Sequence, residues 1–127
     1  MEFDYTVTTA KTFDEAVQKV QDGIAKAGMR VLYIHDVQKT LSEKGFSREP
    51  FKIIEFCSAK FANEFLDKDI KIGLCLPCKI NVYTKDKQTF ISGMRPIILS
   101  QFFPQADLGE RSKEIDQIIQ NIINNTK

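Results

Sequence analysis

The chain is poor in the residues that usually announce a reaction. It has three cysteines and one histidine, His35, in 127 residues. Three cysteines is an odd count, which argues against a structural disulfide framework and for thiols that are reduced at rest. Eighteen basic and seventeen acidic side chains leave a net charge of +1. No run of Lys or Arg breaks that balance, so neither nucleic acid nor an anionic membrane is expected as a partner. No apolar stretch approaches the ~20 residues that span a bilayer. The opening "MEFDYTVTTAKTF" lacks the basic start and apolar core of a secretory signal, so the expected location is the cytoplasm. The phosphate loop G-x-x-x-x-G-K-[ST] is absent, as are G-x-G-x-x-G, H-E-x-x-H and G-x-S-x-G.

What is present reads as one domain spanning residues 1–127. Apolar residues make up 43% of the chain and charged residues 28%, a globular balance rather than a disordered one. "FDYTVTT" alternates apolar and polar side chains, as a half-buried strand does. Thr12-Phe13-Asp14-Glu15 fits a capping box, and Ala16, Val17, Val20, Ile24 and Ala27 follow at helical spacing until Gly28 ends the run. "MRVLYIHDV" and "FKIIEFC" read as strands, separated by a short helical turn around Leu41 and a loop ending at Pro50. Ser58 is placed to cap a helix carrying Phe61, Phe65 and Leu66 on one face. "CKINVYTK" and "TFISGMR", joined by "DKQ", form a predicted hairpin. Pro96 suits the first turn of a segment with Leu99, Phe102 and Phe103 at core spacing. Ile115, Ile118, Ile119, Ile122 and Ile123 lay an apolar stripe along a closing helix. Strands joined both by a helix and by a hairpin predict an α+β fold of two layers. The order is β-α-β(4)-α, with a mixed or mainly antiparallel sheet and helices packed on one face.

The run "FKIIEFC", then "FANEFL", then "IGLCLPCKINVY" resembles the core signature of the domain of unknown function 302 family. "TFDEAVQKVQDGIAKAGMRVL" and "HDVQKTLSEKG" are similar to its opening helix, second strand and following turn. The pairing of Cys57 with Leu76-Pro77-Cys78 is the most specific part of the likeness. The resemblance implies the β-α-β(4)-α fold, a homodimer and some connection with thiols or sulfur, but no activity or cofactor. Two positions depart from the family pattern. Glu55-Phe56 stands before Cys57 where small residues are usual, and Cys75 occupies a position that is usually aliphatic.

A thiol becomes a nucleophile by losing its proton, which a helix N-terminus or a neighbouring cation favours. Cys57 lies just before Ser58 at a strand-to-helix junction, and Cys78 stands between Pro77 and Lys79. Both are therefore candidate reactive thiols of lowered pKa, with Cys75 as an accessory or resolving thiol. Cys75-Leu76-Pro77-Cys78 spells C-x-x-C, yet its second cysteine opens a strand, and the βαβ setting of a thioredoxin-type motif is missing. A Cys57–Cys78 disulfide requires Cα atoms within about 7 Å. The three cysteines with His35 form a known zinc set, but only one close-spaced pair exists, so no metal site is expected. Arg48 and Arg95, each near a proline, read as loop residues able to meet an anion. The leading expectation is a domain that handles a thiol, persulfide or other sulfur-bearing ligand through Cys57 and Cys78. The alternative is a non-enzymatic ligand-binding or oligomerisation module whose cysteines are structural, since free cysteine packs as a small hydrophobe.

Overall fold

Alternation near the N-terminus becomes β1 (Asp4–Thr9), the first element of the computed structural model, which describes residues 2–127. The capping box forms reciprocally. Glu15 N–H donates to Thr12 Oγ1 at 3.2 Å, and Thr12 N–H donates to Glu15 Oε1 at 3.1 Å. The Thr12 amide also holds the Glu15 carboxyl below its ordinary range. Helix α1 (Phe13–Lys26) follows, and Gly28, at φ 78°, takes the left-handed conformation that stops it.

The chain then runs through β2 (Arg30–Asp36), α2 (Val37–Ser42), β3 (Phe51–Cys57) and α3 (Ala59–Lys68). A 3-10 turn at Ile70–Cys75 leads into β4 (Cys78–Lys85) and β5 (Gln88–Met94). A second 3-10 turn, Pro96–Ile98, runs into α4 (Leu99–Phe102), and α5 (Gly109–Thr126) closes the fold. The hairpin turn is shorter than the sequence suggests. Asp86 and Lys87 alone form it, at φ 52° and 66°, and Gln88 is already in β5. Two successive left-handed residues match the right-handed twist of the flanking strands, at a cost of about 1 kcal/mol for a lysine there instead of glycine.

The sheet order is β1-β5-β4-β3-β2, and every neighbouring pair is antiparallel. β1 and β2 run the same way, but three strands lie between them, so the α1 crossover creates no parallel ladder. Of the two expected arrangements, the antiparallel one holds. A register shift at Leu32 bulges the edge strand β2, a device that discourages pairing with a foreign strand.

Helices α1, α3 and α5 cover one face of the sheet. Ala16, Val17, Val20 and Ile24 of α1 join Ile115, Ile119, Ile122 and Ile123 of α5 over Ile54, Phe56, Ile80, Val82 and Ile91. The isoleucine stripe is therefore core. Phe102, expected inside, is 67% exposed. Helix α4 has only four residues, and Leu99 within it and Phe103 just after it turn inward, leaving Phe102 on the outside. The opposite sheet face carries Phe51, Tyr83 and Phe90 in register across three strands, their rings stacked with centroids 5.3 Å apart at each step. Stacked this way, the rings turn their faces to one another, not outward to a ligand.

Candidate functional site

β3 ends at Cys57, and Ser58 begins α3 by accepting from the Phe61 N–H at 3.4 Å. Pairing between β3 and β4 sets Phe56 opposite Cys78. Cys57 and Cys78 are thus one residue out of register on adjacent strands. Strand spacing and rise put their Cα atoms about 6 Å apart, inside the range a disulfide spans. Both line one crevice with Ser58, Phe61, Phe65 and Ile115, beneath α3 and α5. Its free volume is about 10 Å³, the room of a single water molecule. All three thiols are free.

Cys75 stands apart from this crevice. It closes the 3-10 turn and packs partly buried against the core, while the Leu76–Pro77 peptide, which is cis, leads the chain on to Cys78. The structure therefore brings together Cys57 and Cys78 across strands and leaves the C-x-x-C neighbours with different surroundings.

Electrostatics separate the two crevice thiols. Burial pushes the Cys78 thiol up from 9.0 to about 11, and nearby Cys57 adds to the rise. Lys79 pulls the other way but is outweighed. Its ammonium lies in solvent, where it donates to the Pro77 carbonyl at 3.4 Å. The expectation of a lowered pKa at Cys78 is not met, because loss of hydration disfavours the thiolate more than the adjacent cation favours it. A thiol harder to ionise when folded than when unfolded stabilises the fold fully below pH 9, and that contribution is lost as pH rises through 11. Wild type should lose roughly 2 kcal/mol more stability than Cys78→Ala across that window, read from urea midpoints. Equal losses would show the thiol to be solvated.

His35 is placed away from the cysteines. It pairs in register with Ile53, while Cys57 pairs with Arg30 at the other end of β3. The His35 ring donates through Nε2 to Glu55 Oε1 at 2.7 Å. Among the described residues, no three His, Cys, Asp or Glu side chains are grouped as a metal ion requires. No helix among them is long and apolar enough to cross a membrane.

Arg95 already has its anion inside the protein. Its Nε and Nη2 donate to the two carboxylate oxygens of Asp116 at 3.2 and 3.0 Å, and Gln120 Nε2 donates to the same carboxylate at 2.8 Å. Asp116 is 4% exposed. Sequence reasoning missed this pair, although an acid between Ile115 and Ile119 at the border of a buried stripe is the signal that could have found it.

A family model described as Domain of unknown function DUF302 matches residues 5–126. The crystal structure of an uncharacterised conserved DUF302 protein from Bacillus stearothermophilus superposes with a TM-score of 0.93 at 26% identity, over 100% of both chains. No curated protein matches. By the extent of the family match and the agreement in fold, the chain belongs to the DUF302 family.

Proposed function

We propose that the domain handles thiols, persulfides or disulfides through an asymmetric pair, with Cys57 as the attacking sulfur and Cys78 as its half-buried partner. The observation that supports this reading is the adjacency of the two cysteines across β3 and β4, in one crevice at the start of α3. The thiolate, not the thiol, is the nucleophile, so Cys57 attacks in its deprotonated form. It would displace one half of a small disulfide R–S–S–R′, forming Cys57–S–S–R and releasing R′–S⁻. Cys78 would then attack the Cys57 sulfur, closing a Cys57–Cys78 disulfide while R–S leaves with the Cys78 proton. The ligand disulfide is reduced to two thiols, and the protein dithiol is oxidised. A protonated Cys78 suits the second role, because it does not compete as the first nucleophile. Cys75 takes no part in these steps.

A second reading is favoured by the tightness of the crevice, about 10 Å³. Here the cysteines are packing residues in a non-enzymatic binding or oligomerisation module, working as a homodimer. Iodoacetamide labelling of the native protein near neutral pH, resolved by peptide, separates the two. On the first reading Cys57 labels about tenfold or more faster than Cys78. Oxidised glutathione then produces the Cys57–Cys78 disulfide, and Cys78→Ser stops at a glutathione adduct on Cys57. Resistance of all three thiols until the protein is unfolded would sink the first reading and leave the second.

A further inference from the structure

A second recess lies on the sheet face turned away from α1 and α5. Val37, Thr40 and Leu41 of α2 meet His35, Ile53 and Lys79 of the three neighbouring strands around a volume of about 290 Å³. That is close to the lower end of small-molecule sites, and like them it joins an apolar lining to a few polar groups. Val37, Leu41 and Ile53 supply the apolar wall. The imidazole is held in place from two sides, by Glu55 at 2.7 Å and by the ring of Tyr33, set edge-on with centroids 4.6 Å apart. Glu55 stands opposite Lys79 in the strand register, yet its carboxylate is engaged by His35. Among the described residues no carboxylate lies within ion-pair distance of the Lys79 ammonium.

The Lys79 ammonium, which meets the Pro77 carbonyl at 3.4 Å but no carboxylate among the described residues, leaves a cation beside an apolar wall. We infer that the recess binds a small aliphatic monocarboxylate, its carboxylate on the Lys79 ammonium and its chain against Val37, Leu41 and Ile53. A phosphoryl group is a poor match, because it calls for several donors and the recess offers one lysine and one imidazole. Eight non-hydrogen atoms at about 30 Å³ each, the size of hexanoate, fit within the space with some room to spare. No cysteine lines this recess, so the inference stands apart from the thiol reading.

The chain's single histidine makes the test direct, since its ring signals in an NMR spectrum need no assignment. Titration with sodium hexanoate at constant ionic strength should move them along a saturable curve. A ligand of this size predicts half-saturation on the order of 1–10 mM. Lys79→Gln, at an exposed position, should weaken binding about tenfold, equivalent to one charge-assisted contact. Leu41→Ala should weaken it several-fold through lost apolar contact. A linear response up to roughly 100 mM, an equal response to hexan-1-ol, or unchanged binding in Lys79→Gln would each overturn the inference.

Discussion

Replacing Asp116 by Ala should lower stability by about 3 kcal/mol, the largest loss expected from any single polar substitution in this chain. The carboxylate is 4% exposed and accepts three hydrogen bonds, two from Arg95 and one from Gln120. Truncation removes all three and strands a guanidinium whose pKa Asp116 itself holds up through its hydrogen bonds. The loss thus comes mostly from the charge left behind rather than from the attraction removed. That account makes a second demand. The double variant Arg95→Met with Asp116→Leu, which leaves no charge behind, should be clearly more stable than Asp116→Ala alone. Urea midpoints with unchanged slopes would measure both. If the double variant were the weaker of the two, the pair's own attraction would be what matters.

Gly93→Val should cost a further class of energy, about 3 kcal/mol of overpacking. Gly93 lies on the covered face of β5, where a Cβ would meet Ile123 Cδ1 at 3.0 Å, Ile119 Cγ2 at 3.2 Å and Ile80 Cγ1 at 3.5 Å. The glycine is there because α5 lies directly upon the strand. Its backbone φ is unremarkable, so the constraint is space rather than conformation. Ile123→Val removes the methyl that comes nearest. Combined with Gly93→Val it should therefore lose at least about 0.5 kcal/mol less than the sum of the two single losses. Strict additivity would mean that the helix moves away as a body instead of clashing at one methyl.

Legibility followed sequence separation. Helix α1 could be read to its ends because Thr12, Glu15, the apolar repeat and Gly28 are all local signals. The isoleucine stripe of α5 declared its buried face for the same reason. The hairpin turn is one residue shorter than its residues suggest, since Gln88 looks like a turn residue and only the φ values of Asp86 and Lys87 show that the strand has resumed. The sheet order was out of reach, because β1 pairs with β5 and nothing near Tyr5 or Val7 names that partner. Cys57 and Cys78 could be picked out one at a time. Their adjacency depends on how residues 58–77 return the chain, a matter of tertiary packing. Local charge also misled: Lys79 beside Cys78 suggested an easily ionised thiol, while burial decides the outcome. The recess under α2 had no local signature at all, being assembled from three strands and a helix of six residues.

The strand order also governs how the chain must be assembled as it is made. β1 precedes the other strands of the sheet in the chain, yet it pairs with β5: Thr9 awaits Thr89, and Asp4 awaits Met94. Until β5 has left the ribosome, β1 lacks its partner. The β2–β3–β4 ladder, built from consecutive strands, can form before it. Closing such long loops is slow because the entropy is lost before the contact is gained. Docking of the N-terminal strand is therefore a late event, and shortened chains ending before Gln88 will expose β1 to foreign partners rather than fold around it.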